Sequence, residues 1–132
     1  MIILKKYNDE NEIKKLYKKH FNKKLIINDN LIYCLYDKNI IVGYVIYKIV
    51  NKNVYLDWIY APNYGKILMN KLEKKFKREK IEKILLNVSI DPTENLKTVM
   101  IRINFYISLQ YKVYNIKFRE EYGPLLYMKK EL

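Results

Sequence analysis

With 132 residues, half of them apolar, the chain has enough material for one compact domain with its own core and too little for two of ordinary size. One cysteine, Cys34, and one histidine, His20, exclude an internal disulfide, a cysteine-based metal site and a conventional structural zinc; no run of about 18 apolar residues exists to span a bilayer, and Met1–Lys6 is too short for a signal-peptide core, so a soluble, cytoplasmic protein with no membrane partner is expected. The formal net charge of +12 favours a polyanion, a phosphorylated cofactor or an anionic surface as partner, although the abundance of Lys, Asn, Ile and Tyr is what A/T-rich codons produce and accounts for much of the excess.

Ile2 to Tyr7 reads as a short apolar strand. Ile13, Leu16, Tyr17 and His20 then recur at helical spacing, which predicts a helix from about Glu10 to Asn22 with Asn8 or Asp9 available as its cap. Leu31–Tyr36, Ile40–Val50 and Asn53–Tyr60 are rich in Ile, Val and Tyr and are separated by Asp37-Lys38-Asn39 and Asn51-Lys52-Asn53. Such short polar connections join antiparallel neighbours, so the middle of the chain is a meander. Ala61-Pro62-Asn63-Tyr64-Gly65 leads into an amphipathic helix in which Leu68, Leu72 and Phe76 fall four apart and lysines fill the remaining positions to about Lys80. Ile84–Val88 is the next strand. Asp91-Pro92-Thr93-Glu94 has the capping Asp, first-turn Pro and following Glu of a helix start, and Leu96, Val99, Met100, Ile103 and Ile107 carry that helix to about Leu109. Tyr111–Phe118 and Leu125–Lys129 are the last strands. The order describes a single α+β domain over residues 1–132, built on a mixed, mostly antiparallel sheet, and the strand-helix-strand from Asn53 to Val88 is long enough to be a parallel crossover.

That order, with Pro-x-x-Gly between a central strand and a basic helix, resembles the GNAT superfamily of acetyl-CoA-dependent N-acetyltransferases, with a central sheet and helices on both faces. Two further segments carry the resemblance. Asn104-Phe105-Tyr106-Ile107-Ser108-Leu109-Gln110-Tyr111-Lys112-Val113-Tyr114 is similar to the stretch where the family's last helix gives way to its penultimate strand, and Tyr122–Leu132 looks like the closing family strand. The family carries Gln/Arg-x-x-Gly-x-Gly/Ala after the proline, where loop and helix N–H groups hold the pyrophosphate of coenzyme A. Here Pro62–Met69 keeps one glycine and has Ile67 to Met69 where others are expected, so the loop is degenerate. Backbone donors at a helix N-terminus do not depend on side-chain identity, so Tyr64, Gly65, Lys66, Ile67 and Leu68 remain the implied cradle, with Lys66 and Lys71 toward the 3′-phosphate. The alternative is a plain strand-to-helix turn. The resemblance also implies that the strand ending in Ile59 and Tyr60 splays from its neighbour and offers backbone groups to the pantetheine arm.

Acetyl transfer to an amine needs a neutral amine, a donor for the developing oxyanion and a proton for the leaving thiolate. The resemblance places Tyr106 on the family's proton-donating helix tyrosine; a core aromatic suits the position too. Asp57, the only acid in Asn53–Tyr60, is the candidate base, with a structural or solvent-facing role as the alternative, because an acid between Leu56 and Trp58 must face a cleft or be paired. Asn87 stands where some members have Glu and cannot serve. Glu120 and Glu121, between the last strands, are placed to draw in a cationic acceptor or are simply a solvated turn. Cys34 reads as a buried small hydrophobe. Two functions follow: an N-acetyltransferase using acetyl-CoA and a primary amine of a peptide or small molecule, in which a homodimer is allowed, or a catalytically inactive module of the same fold that binds nucleic acid or an acidic partner through its lysines.

Overall fold

The computed structural model describes residues 2–6, 14, 15, 18 and 31–132. These residues form β1 (Ile2–Lys6), β2 (Leu31–Asp37), β3 (Ile40–Val50), β4 (Asn53–Tyr60), α1 (Gly65–Arg78), β5 (Lys83–Ser89), α2 (Leu96–Ser108), β6 (Lys112–Arg119) and β7 (Gly123–Glu131). The helix expected from Glu10 to Asn22 lies outside the described residues except for Lys14, Lys15 and Lys18, which are helical, and His20 lies outside them as well.

One sheet holds all seven of these strands, in the order β1-β2-β3-β4-β5-β7-β6. Every neighbouring pair is antiparallel except β4 and β5, which α1 joins as a crossover. The two hairpins of the meander turn on Lys38-Asn39 and Asn51-Lys52, with φ of +52° and +67° in each. Paired left-handed residues match the twist of the flanking strands, and asparagine tolerates that conformation better than most.

Alternation along the strands divides the core. Tyr33, Leu35, Val45, Tyr47, Val54, Leu56, Ile84, Leu86, Leu126 and Met128 belong to a large cluster on one face. Ile32, Cys34, Tyr44 and Ile46 form a smaller one on the other, and Cys34 is fully buried there. α1 closes the large cluster with Leu68, Met69, Leu72 and Phe76, all at 0% exposure. Each such side chain stabilises the fold by about 1.5–3 kcal/mol through burial, so four of them fix the helix against the sheet although its outer side is almost entirely basic. α2 adds Ile103, Phe105 and Tyr106 to the same cluster, and Leu109 joins it just past the helix end.

The start of α2 differs from the expected one. Asp91 does not cap a helix: its Oδ1 accepts hydrogen bonds from the backbone N–H and hydroxyl of Thr93, 2.8 and 2.7 Å away, closing a local turn. The cap is Asn95, whose Oδ1 accepts from Lys97 N–H at 2.8 Å. Short polar side chains compete with the helix by bonding nearby backbone, and here that local bond wins at Asp91. The segment is held because Ile90 N–H donates to Pro124 C=O at 2.8 Å and Gly123 sits against it; at φ +74°, a Cβ on Gly123 would lie 2.4 Å from the Ile90 carbonyl oxygen.

Candidate active site

β4 and β5 pair only from Asn53–Lys83 to Leu56–Leu86. Beyond that point β4 continues beside β3, and β5 continues beside β7 as Asn87, Val88 and Ser89 meet Tyr127, Leu126 and Leu125. The two central strands therefore part after Leu56 and Leu86, and the edges of Asp57–Tyr60 and Asn87–Ser89 that face each other carry no ladder.

A bulge drives this parting. In the β3–β4 register Ile46 is opposite Trp58 and Tyr47 is opposite Leu56, which leaves Asp57 as the extra residue. An extra residue bends a strand and increases its twist. It also resets the alternation: Val54 and Leu56, then Ile59, reach the large cluster, whereas Trp58 and Tyr60 reach the small one. The Asp57 side chain emerges at the surface at this kink. Partial shielding raises its pKa above the ordinary carboxylate value, opposed by the positive charge of Lys48.

From Tyr60 the chain passes through Ala61 to Tyr64 directly into α1. The left-handed residue of this turn is Asn63, at φ +67°, and not the glycine. Gly65 is needed for another reason: a Cβ there would lie 3.1 Å from Cζ of Phe105, whose ring packs on the first turn of α1. Phe105 thus ties the end of α2 to the start of α1 and brings Gly65 and the Phe105-Tyr106 pair together. α1 begins with no side-chain cap and no acid in its first turn. Leu68 N–H is bonded to Tyr64 C=O at 2.9 Å and the Leu68 side chain is fully buried, so neither group faces outward. The Tyr64 hydroxyl is likewise engaged, donating to Asp37 Oδ2 at 2.9 Å, which raises its pKa. Gly65, Lys66 and Ile67 supply the outward backbone donors, with Lys66 exposed and Lys71 half-buried.

At the other side of this turn, Gly43 of β3 allows close approach, because a Cβ there would stand 2.8 Å from Ala61 Cβ and 3.1 Å from Tyr60 C=O. A cavity of 310 Å³ opens beside it, lined by Ile41, Val42, Gly43, Tyr44, Tyr60, Pro62 and Tyr64. Tyr60 brings the end of β4 to this cavity, and Pro62 and Tyr64 bring the turn into α1; none of its lining residues is on β5 or α2.

Tyr106 is half-buried, with ring centroids 5.1 Å from Phe105 and 5.8 Å from Tyr111. Burial pushes its pKa up to about 12, and the guanidinium of Arg102 pulls weakly the other way. Tyr111 is anchored by donating to Glu73 Oε2 at 3.1 Å, and Lys130 Nζ meets Glu73 Oε1 at 2.6 Å. Glu120 and Glu121 are exposed in the β6–β7 turn. That turn is fixed by a residue that sequence reasoning passed over. Arg119 donates to Ser89 Oγ at 2.6 Å, to Gly123 C=O at 3.1 Å and to Tyr122 C=O at 3.2 Å, so it joins the turn to the end of β5. Asn63, Phe105 and Gly43 were also missed as site-forming residues. Only Gly43 left a signal, as an isolated glycine inside a strand.

A sheet whose central parallel pair parts next to an uncapped helix start is joined by a direct family match: the sequence profile of the Acetyltransferase (GNAT) family matches residues 2–106. The chain belongs to the GNAT family. Solved structures agree on the fold. The ribosomal-protein-S18-alanine N-acetyltransferase from Escherichia coli superposes with a TM-score of 0.76 at 12% identity, covering 99% of this chain and 94% of that one. An IAA acetyltransferase from Bacillus cereus gives 0.75 at 13% identity, with both chains covered in full. A GNAT family acetyltransferase from Elizabethkingia anophelis, solved with acetyl-CoA bound, gives 0.70 at 11% identity over 99% and 98% of the two chains. No curated protein matches by sequence. The GNAT acetyltransferase family carries out acyl transfer from a coenzyme A thioester to an acceptor, and this GNAT chain shares its seven-stranded frame.

Proposed function

We propose that this GNAT protein is an acetyl-CoA-dependent N-acetyltransferase acting on a primary amine of a peptide or small molecule. The observation that carries the reading is the parting of β4 from β5 after Leu56 and Leu86, directly ahead of an α1 start with neither cap nor acid. Acetyl-CoA, when bound, supplies an acyl group activated as a thioester. The open edge of β4 at Ile59 and Tyr60 would take the pantetheine arm as a sheet edge takes a further strand. Gly65, Lys66 and Ile67 would hold the pyrophosphate by their N–H groups and the positive end of the helix dipole, and the side chains of Lys66 and Lys71 would meet the 3′-phosphate.

Tyr106 donates toward the leaving sulfur. Its pKa of about 12 keeps it protonated through the neutral range. That value also makes complete proton transfer to a thiolate of ordinary pKa near 8.5 uphill by roughly 5 kcal/mol, so its contribution is a hydrogen bond that strengthens as charge develops on sulfur. Asp57, with its raised pKa, is a better base than an ordinary aspartate and would receive the proton of the attacking amine. The glutamates at 120 and 121 would attract a cationic acceptor to the end of β5 that Arg119 holds.

Thiol release from acetyl-CoA, followed against a panel of polyamines, aminoglycosides and peptide N-termini, tests the reading. Turnover with at least one amine, reduced roughly tenfold to a hundredfold in Tyr106→Phe while acetyl-CoA affinity is kept, supports it. Absence of turnover with every amine, although acetyl-CoA binds, refutes catalysis by this chain on these classes.

A further inference from the structure

The large cluster occupies one face of the sheet, and α1 and α2 both pack on it. The small cluster takes the β2–β3 part of the opposite face. Further along that opposite face, register sets one row across five strands. Lys48 of β3 stands beside Tyr55 of β4, Tyr55 beside Leu85 of β5, Leu85 beside Lys129 of β7, and Lys129 beside Lys112 of β6. Their chain neighbours Val54, Leu56, Ile84, Leu86 and Met128 belong to the large cluster, so alternation along the strands points the row away from it.

Two more tyrosines flank the row. Tyr114 is the extra residue of a bulge in β6, between Val113 opposite Met128 and Asn115 opposite Tyr127. Its ring centroid lies 6.0 Å from that of Tyr127 and 5.4 Å from Lys129 Nζ, and Lys48 Nζ lies 5.8 Å from the Tyr55 centroid. Partial burial and then the neighbouring phenols of Tyr55 and Tyr127 raise the Tyr114 pKa, in keeping with three rings grouped together. Tyr114 is 45% exposed, Lys48 and Lys112 are exposed, and Tyr55, Tyr127 and Lys129 are half-buried above Leu85. Lys83 and Lys117 add two further cations to this face. Its acids are offset locally, Asp57 by the charge of Lys48 and Glu131 by Lys129 Nζ at 4.0 Å.

We propose that this face binds single-stranded nucleic acid, with bases stacked on the Tyr114, Tyr55 and Tyr127 rings and phosphates on Lys48, Lys112 and Lys129. The site is additional to acetyl transfer and does not rest on it. Charge and rings together select the occupant. A second copy of the chain brings the same lysines and meets like charge. An acidic peptide uses the lysines and leaves the tyrosines idle. A duplex keeps its bases stacked on one another, so only its phosphates can engage. A single strand uses both sets of groups, because every base has a π-face and a phosphate follows each one.

Fluorescence anisotropy is the test, using the full chain and a labelled oligonucleotide of about 12 nucleotides, single-stranded or annealed as a duplex. The single strand is expected to bind more tightly than the duplex. Tyr114→Ala, a change at an exposed side chain, should leave circular dichroism unchanged, weaken single-strand binding at least about fivefold and remove the preference over duplex. Tyr114→Phe keeps the ring and should bind as the wild type does. Three phosphate contacts predict a slope of log K against log salt of about −2, shallower by about 0.7 in Lys129→Ala. Lys74→Ala/Lys77→Ala, on the outer side of α1 across the sheet, should leave the preference for single strands in place. No binding of either probe at about 100 µM protein and low salt overturns the proposal. Equal affinity for single strand and duplex also overturns it, as does a Tyr114→Ala variant that binds as the wild type does. Loss of binding in Lys74→Ala/Lys77→Ala alone would assign the contact to the basic helix instead and overturn it too.

Discussion

Replacing Gly43 by alanine probes the contact that sets where β4 ends. The new Cβ would stand 2.8 Å from Ala61 Cβ and 3.1 Å from Tyr60 C=O, both closer than van der Waals contact allows, at a buried position of β3. Over-packing of this kind costs about 1–3 kcal/mol, and the smaller conformational freedom of alanine in the unfolded chain returns about 0.4–1 kcal/mol. A net loss of about 1–2 kcal/mol is expected, seen as a lower urea midpoint at unchanged m-value and a Tm lower by about 3–8 °C. The decisive variant is the double substitution with Ala61→Gly, which removes the atom struck first. Some crowding stays, because Tyr60 C=O remains at 3.1 Å. The double variant should nonetheless be more stable than the sum of the single changes by at least about 1 kcal/mol. Additivity within about 0.5 kcal/mol would refute the close approach of β3 and β4 at this point.

Gly123→Ala should be more severe, because a left-handed φ costs about 1–2 kcal/mol for alanine and the Cβ meets the Ile90 carbonyl at 2.4 Å; a chemical denaturation midpoint close to wild type would contradict it. Asn95→Ala should lower stability by about 1 kcal/mol through loss of the α2 cap, whereas Asp91→Ala should leave the start of that helix in place, as amide exchange of Lys97–Val99 would report. Asp57 has a folded pKa raised above its unfolded value, so its ionisation opposes folding at neutral pH and this cost fades as the pH falls through the unfolded pKa. Asp57→Asn should therefore raise stability at pH 7 relative to wild type and lose that advantage in acid; an advantage constant with pH would count against shielding at the bulge. Burial raises the Tyr106 pKa to about 12, so it stabilises the fold below pH 10, and this contribution is lost as pH rises toward 12, a fall that Tyr106→Phe should reduce.

The meander, the crossover and the basic helix were legible in the sequence because period, turn residues and connection length all agreed. The Lys38-Asn39 and Asn51-Lys52 turns are local chemistry, and local chemistry is what a sequence displays. Asp91-Pro92-Thr93-Glu94 misled because the same residues that start helices also close short turns, and the pairing of Ile90 with Pro124, over thirty residues away, decides between them. The bulge at Asp57 depends on the register of β4 against β3, which no composition of β4 alone reveals. Gly65 was legible as a special residue but not for its reason, since the atom that demands it belongs to Phe105. The partners of the Tyr64 hydroxyl and of the Leu68 side chain, Asp37 and the core, likewise come from elsewhere in the chain and leave no mark in the local sequence.

In our proposal the uncapped start of α1, beside the parted strands, receives a phosphorylated thioester. Calorimetric titration of the full chain with acetyl-CoA tests it most directly, repeated with Ile67→Glu. That position is 37% exposed in the first turn of α1 and away from the crowded Gly65, so the variant adds an anion to the cradle without disturbing Phe105. One-site binding in the wild type, weakened at least about tenfold in a folded Ile67→Glu, is the predicted result, since a carboxylate there repels the pyrophosphate. No binding at about 1 mM cofactor, the weakest affinity of use to a working site, or equal binding by both proteins, would contradict the account.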